Sequence, residues 1–301
     1  MPAEPRMQIE RLARISLNSA APAVLAKFFT KALGFKPAQS AQDDPAGRTV
    51  ALMLGTSRLD LNAVGAAARP YPADVPGWSP LFQHIAIVTT DMQAAVARLN
   101  DVTGWTPIST GGPQRLPERS GGVTAFKFRD PEGHPLELIA FPQGSGPALW
   151  RSATSSDPCL GIDHSAISVT DTQKSVAFYT ALELTVGACS LNTGIEQQNL
   201  DAVPEPVVEV TALTLPQGPT PHVELLCYRG AFNRTMPPAQ TGDIAATRLV
   251  FTVTNAGALQ AIRNRHHDRI VMQTTATPSN QASVLLRDPD GHVLQFEIAP
   301  G

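Results

Sequence analysis

One pattern of eleven residues occurs twice in the chain and limits the fold more than any other feature. Phe128-Arg129-Asp130-Pro131-Glu132-Gly133-His134-Pro135-Leu136-Glu137-Leu138 is matched by Leu286-Arg287-Asp288-Pro289-Asp290-Gly291-His292-Val293-Leu294-Gln295-Phe296, 158 residues later in a chain of 301. Asp-Pro-x-Gly between apolar runs is turn chemistry: proline presets φ and glycine supplies a positive φ. Each copy therefore predicts a β-hairpin, with strands near 123–128 and 136–141, and near 283–287 and 293–298. A repeat at about half the chain length means that the molecule is assembled from copies of one unit.

A second repeat precedes each hairpin. His84-Ile85-Ala86-Ile87-Val88-Thr89-Thr90-Asp91 resembles His164-Ser165-Ala166-Ile167-Ser168-Val169-Thr170-Asp171. Weaker copies begin at Leu12 and at Arg248 and end at Asn18 and Asn255. Each is a β-rich run that closes on a small polar or acidic residue suited to cap a helix. Helical spacing of apolar residues follows, for example Val24, Leu25, Phe28, Phe29 and Leu33, with Gly34 as the expected C-cap. The result is four strand–helix–strands units at about 8–66, 80–143, 160–229 and 244–300. The expected division is an N-terminal half (1–143), a Gly/Ser/Pro-rich linker (144–159) and a C-terminal half (160–301). No such unit buries both faces of its sheet alone, so the units must pair.

Composition narrows the function classes. With 43% hydrophobic and 16% charged residues the chain is expected to form a sizeable core, and a net charge of −3 argues against nucleic-acid binding through a broad positive field. No apolar run approaches the length of a membrane helix. The segment from Met1 to Arg6 lacks the apolar core of a signal peptide, and Cys159, Cys189 and Cys227 form no paired framework, so a cytoplasmic protein is expected. There is no phosphate-binding glycine loop and no Gly-x-Ser-x-Gly elbow.

On the two repeats, the chain resembles the vicinal oxygen chelate superfamily: glyoxalase I, type I extradiol dioxygenases, methylmalonyl-CoA epimerase, and the fosfomycin- and bleomycin-resistance proteins. The resemblance implies an α+β fold of four βαβββ modules, paired into two curved, cup-like mixed β-sheets with helices outside. It also implies ligand positions at the start of each module's first strand and within its last strand. Carried over by position, the first-strand slots hold Leu12, His84, His164 and Arg248, and the last-strand slots hold Asp60, Glu137, Glu224 and Gln295. No histidine precedes His84, so a histidine ligand from the first module is excluded.

The implied ligand set is therefore His84, Glu137, His164 and Glu224, from modules two and three. If those modules face each other, one complete site forms and modules one and four build a metal-free cup; if pairing follows chain order, each cup has one His and one Glu. The first arrangement is preferred because it explains why the good ligands sit in adjacent modules. Two imidazoles and two carboxylates suit one divalent ion such as Zn, Ni, Mn or Fe. A glutamate inside an apolar strand is costly without a cation nearby.

Plainer roles compete. A lone strand histidine is more often a satisfied polar group than a ligand; two His and two Glu at matching module positions shift the balance toward a metal. His134 and His292 read as hairpin residues. His222, two residues before Glu224, reads as an outer-layer or substrate residue on the same strand face. His266 and His267 read as a solvated helix end. Arg129 and Arg287 read either as anion-binding or as surface residues, and Trp78, Phe126, Phe178, Tyr179 and Cys227 read as core.

Three functions follow from the resemblance. The first is a metal-dependent isomerase or lyase of the glyoxalase I-like type, acting on a small substrate through two vicinal oxygens, with Glu137 or Glu224 as the catalytic carboxylate. The second is an extradiol-type dioxygenase with Fe(II) or Mn(II) held by His84, His164 and one glutamate. The third is a non-catalytic small-molecule binding or resistance protein. The partner expected in each case is a small molecule, with no nucleic acid and no membrane, and the chain is expected to be a monomer or homodimer.

Overall fold

The computed structural model describes residues 8–38, 48–153, 155–215, 218–230, 237–274 and 282–299. Met1 to Arg6, where the absence of a signal peptide was read, lie outside them. Module one contains β1 (Ile9–Ser19), α1 (Pro22–Leu33), β2 (Lys36–Pro37), β3 (Thr49–Leu54) and β4 (Ser57–Ala63). Module two contains β5 (Gln83–Thr89), α2 (Met92–Asn100), β6 (Thr106–Pro107), β7 (Gln114–Arg115), β8 (Thr124–Arg129) and β9 (Pro135–Ala140). The segment read as a linker carries a short helix, α3 (Ala148–Arg151). Module three contains β10 (Cys159–Ser168), α4 (Thr172–Ala181), β11 (Thr185–Thr193), α5 (Ile195–Asp201), β12 (Val207–Leu215) and β13 (Gly218–Tyr228). Module four contains β14 (Arg248–Val253), α6 (Ala256–Arg265), β15 (Ile270–Thr274), β16 (Ser283–Arg287) and β17 (Val293–Ile298).

The modules pair inside-out. One sheet runs β11-β12-β13-β10-β5-β9-β8-β6, with β7 added on β8, and joins modules two and three. The other runs β15-β16-β17-β14-β1-β4-β3-β2 and joins modules one and four. In each module the first and last strands are parallel neighbours, and the two first strands meet antiparallel at the centre, β5 on β10 and β1 on β14. This is the arrangement that brings the expected ligands together, and both sheets are completed within one chain.

Strand alternation sorts the side chains. Ile85, Ile87, Phe126, Phe128, Leu136 and Leu138 point to the core that holds Phe28, Phe29, Leu33, Leu99, Tyr179 and Ile262 of the helices. Ala86, Val88, Ala125 and Ile139 point the other way, against Leu200 of α5 and Trp150 of α3. Helix starts follow local chemistry in three modules: Asp91, Asp171 and Asn255 each accept a backbone N–H from the first turn. Gly34 ends α1 with φ 78°, as expected.

Module one departs from this rule. Asn18 does not cap α1; its side chain donates to Thr241 O and Asp243 O. Glu132, from the hairpin of module two, accepts instead from the backbone of Ala20 and Ala21 and from Ser19 Oγ. Module four does the same to module three: Asp290 accepts from Thr170 N, Thr170 Oγ1 and Ser175 Oγ. His134 Nε2 reaches Asn18 O at 3.0 Å and His292 Nε2 reaches Ser168 O at 2.9 Å. The repeated hairpins are thus latches that tie neighbours in chain order, while the sheets pair modules out of chain order.

The hairpin arginines serve the same purpose. Arg129 donates to Gly133 O and Val75 O, and Arg287 to Gly291 O and Ala239 O, so each holds its own turn and a neighbouring loop. His266, expected in solvent, is buried, with its ring centroid 5.4 Å from that of Phe178. The end of α6 packs on α4, and this contact between modules has no local signature.

Candidate metal centre

Register places the site. Glu137 lies opposite Ala86 on β5 and opposite Lys127 on β8, and His84 is two residues before Ala86, so His84, Glu137 and Lys127 share one face. In module three Glu224 lies opposite Ala166, two residues after His164. The two halves meet where β5 and β10 pair. There His84 Nε2 is 3.0 Å from Glu137 Oε2, and His164 Nε2 is 3.7 Å from the same oxygen and 3.4 Å from Glu224 Oε2. Glu224 Oε1 is in turn 3.4 Å from His222 Nε2.

One ligand atom each from His84, Glu137 and His164 lies within 4.8 Å of the other two, and all three residues are buried. A second such group is Asp163, His164 and His222. All four expected ligands therefore lie in one chain of contacts, with Glu224 on the far side of His164 from His84.

Asp163 was not foreseen from sequence. In a regular strand it would point away from His164, but β10 slips register between Ile162 and His164, and the bulge turns both side chains to one face. Asp163 Oδ2 accepts from His164 Nδ1 at 3.0 Å and Asp163 Oδ1 accepts from Trp150 Nε1 at 2.6 Å. That bond fixes the His164 tautomer and presents Nε2 to the two glutamates.

Lys127 was also missed, although a lysine between Phe126 and Phe128 is a readable signal of a buried charge. Its ammonium bonds Asp201 Oδ1 at 2.7 Å. Asp201 Oδ2 accepts from Gln197 Nε2 at 2.6 Å and from Tyr228 Oη at 2.9 Å.

Charges in the site are mutually tuned. Burial would raise the Glu137 carboxyl, but Lys127, His84 and His164 hold it well below the usual carboxylate range. Burial likewise opposes ionisation of Glu224, yet His164 and His222 bring it down to about 2. Burial and Lys127 push the His84 imidazole down, toward the neutral form that binds metals. Burial also acts against His164, but Glu224, Asp163 and Glu137 raise it well above its ordinary value. A cation bound there would replace that proton in compensating the carboxylates.

The donor set fits a divalent ion. His84 Nδ1 is buried and has no hydrogen-bond partner, and two imidazoles with one or two carboxylates are the ligands that Zn, Ni, Mn and Fe share.

The same register exposes the corresponding slots of the other sheet. Gln295 lies opposite Val250, two residues after Arg248, as expected. Asp60 lies opposite Ser16, so the first-strand slot of module one is Arg14 rather than Leu12. The misplacement came from the long β1, whose irregular pairing with β14 hides the alignment. Leu12 is buried in the apolar core instead. Arg14 Nε lies 2.7 Å from Asp60 Oδ2, and its Nη2 donates to Glu297 Oε2 at 2.8 Å.

The family described as the Glyoxalase/Bleomycin resistance protein/Dioxygenase superfamily matches residues 11–138 and 161–296. Glyoxalase I from Zea mays shares the fold with a TM-score of 0.66, at 16% identity over 96% of this chain and 92% of its own. A Bacillus subtilis protein described as a "putative dioxygenase" does so with a TM-score of 0.56, at 13% identity over 99% of this chain and 87% of its own. No curated protein matches the chain in sequence. No helix among the described residues is long and apolar enough to cross a membrane. The family match spans both halves of the sequence, and the module pairing is that of a complete two-sheet member: the chain belongs to the glyoxalase/bleomycin resistance protein/dioxygenase superfamily.

Proposed function

We propose that this chain is a divalent-metal-dependent enzyme of the glyoxalase I-like type. It acts as an isomerase or lyase on a small substrate that offers two adjacent oxygens. The carrying observation is the buried convergence of His84, Glu137 and His164 within 4.8 Å, with Glu224 beside His164. His84, Glu137, His164 and Glu224 would hold the ion. When bound, it supplies Lewis-acid polarisation of the substrate oxygens.

The two glutamates divide the work. Glu137 is enclosed between His84 and His164 and faces Lys127, so it stays in place. Glu224 is the more open of the two, with a side chain 21% exposed. Ionised, it would be in the form that takes a proton from the substrate carbon next to one of the adjacent oxygens and returns it to the neighbouring carbon. Asp163 and Trp150 keep His164 oriented, and Trp150 and Leu200 exclude water from the site face. The free cysteines suit the reducing cytoplasm, where we place the protein, and the completion of both sheets in one chain suits a monomer.

One observation supports a second reading. The set whose atoms lie mutually within 4.8 Å is two histidines and one carboxylate, and Glu224 stands outside it. That is the ligand pattern of non-haem Fe(II) oxygenases. An extradiol-type dioxygenase using Fe(II) or Mn(II) is therefore the alternative.

The test is elemental analysis of protein purified without chelator or affinity-tag metal, followed by two assays. About one Zn or Ni per chain with proton exchange next to a substrate carbonyl supports the isomerase. Fe or Mn with oxygen uptake on catechols supports the dioxygenase. A protein that takes up no metal even after reconstitution sinks both and leaves a small-molecule binding protein.

A further inference from the structure

The buried pair Lys127–Asp201 is the strongest feature near the site that the proposed reaction does not use. Lys127 stands on β8 directly opposite Glu137, so its ammonium and the His84–Glu137–His164 cluster share one sheet face. Its side chain is 4% exposed and that of Asp201 1%. A buried ion pair adds little stability over apolar packing, whereas loss of one partner is costly. Such a pair is suited to a contact that is made and broken as a unit.

The partners belong to different kinds of element. Lys127 is fixed in the sheet, while Asp201 ends α5, a helix of seven residues (Ile195–Asp201) in the β11–β12 connection. This helix begins at Gly194 with φ 99° and is followed by Ala202 with φ 52°, left-handed positions at both ends. It spans the site face to the opposite side of the sheet: Thr110 N donates to Asn199 O at 2.8 Å, and Ser109 Oγ to Leu200 O at 2.9 Å. Leu200 packs on Ala86, Val88, Ala125 and Ile139, the face that carries the cluster.

Trp150 and Leu200 of α5 both cover this face, and displacing either would widen access to it. Trp150 is held by Asp163, which also orients His164, so its displacement would disturb the site. Lifting α5 breaks the Asn199, Leu200 and Asp201 contacts but leaves His164 in place, and it takes from the Lys127 ammonium the carboxylate that it bonds.

Resting on the reading of this face as the active site, we propose that α5 is a lid and that Lys127 is the anion-recognition residue beneath it. When the lid lifts, Asp201 gives way to the carboxylate of the incoming substrate. The substrate class is then small 2-oxo acids, whose carboxylate gives one oxygen to the chelating pair and presents the other to Lys127.

The test compares sodium pyruvate with its neutral amide, pyruvamide, by calorimetric titration of the full chain. Hydrogen exchange of the backbone of 195–201 and metal content are followed in the same preparations. Wild type should prefer pyruvate, and Lys127→Met should lose that preference without losing metal. Asp201→Asn should speed exchange in 195–201 and tighten pyruvate, each by about tenfold, because the closed state no longer competes. Equal preference in wild type and Lys127→Met, or unchanged exchange in Asp201→Asn, overturns the proposal. If Lys127→Met does not fold, the wild-type preference and the Asp201→Asn exchange decide the matter. A metal-free wild type would overturn the catalytic reading alone, since the exchange and preference results are read without it.

Discussion

The two sheets are built on one plan and solve one electrostatic problem in different ways. In the sheet of modules two and three the equivalent slots hold His84, Glu137, His164 and Glu224; in the sheet of modules one and four they hold Arg14, Asp60, Arg248 and Gln295. Both place carboxylates inside a low-dielectric sheet, where an uncompensated charge is costly. The second sheet carries its own cation: the Arg14 guanidinium contacts both Asp60 and Glu297. The first has Lys127, bonded to Asp201, and beside its glutamates offers imidazoles, which compensate only when protonated or when they share a metal with the carboxylates. A guanidinium satisfies a carboxylate permanently, whereas a metal leaves positions open for a substrate. On the proposed function, the contrast separates a structural sheet from a reactive one.

The sharpest way to break this contrast is to remove the imidazoles. The double substitution His84→Ala/His164→Ala should take metal content from about one ion per chain to none, whereas Arg14→Met should leave it unchanged by elemental analysis. Metal lost with Arg14, or kept without both histidines, would end the assignment. Next in size is the cost of opening the internal ion pair. Arg14→Met leaves Glu297 without its cation and Asp60 with Arg58 alone, and should lower unfolding stability by about 3 kcal/mol in urea titrations. Adding Asp60→Leu and Glu297→Leu should restore most of that loss, because no buried charge then lacks a partner. A cost near zero for the single variant would mean that water already reaches the pair.

The hairpin latches carry smaller effects. Glu132→Ala removes the acceptor for two backbone N–H groups at the start of α1 and should cost about 1 kcal/mol, read as a lower Tm. His134 gives a pH signature. Its Nε2 faces Asn18 O and its Nδ1 faces Asp130 Oδ2 at 2.8 Å, two acceptors, so both ring nitrogens carry protons. Burial works against that charge, but Asp130, Glu132 and the Asn18 carbonyl outweigh it and raise the group above its ordinary value. The stability it contributes is complete below the unfolded value of about 6.5 and is lost as pH rises through the folded one. The Tm difference between wild type and His134→Gln should therefore shrink as the solution is made alkaline. A difference independent of pH would show a neutral imidazole.

Much of the fold can be read from the chain because its causes are local. The Asp-Pro-x-Gly-His hairpins, the caps at Asp91 and Asp171, and the Gly34 stop depend on residues a few positions apart. The proposed ligands Glu137 and Glu224 could be placed because they occupy equal positions in repeated modules of the family the chain resembles. Asp163 and Lys127 could not be assigned to the site in this way. The first faces it only through a bulge, and the second acquires its counter-charge from Asp201, 74 residues away. Leu12 was mistaken for a ligand slot because one repeat is too weak to fix register by sequence, whereas the backbone pairing of Ser16 with Asp60 fixes it at Arg14.

The sequence by itself determined the module with its turns and caps, since these are set by residue type and short spacing; the four candidate ligands came from the positions that the family resemblance implies. Only the tertiary structure decided which modules share a sheet, that Arg14 contacts both Asp60 and Glu297 in the second, and that α5 packs over the site face of the first. Those outcomes depend on contacts between residues far apart in the chain, where the burial of charge is settled by the whole assembly rather than by any neighbour in sequence.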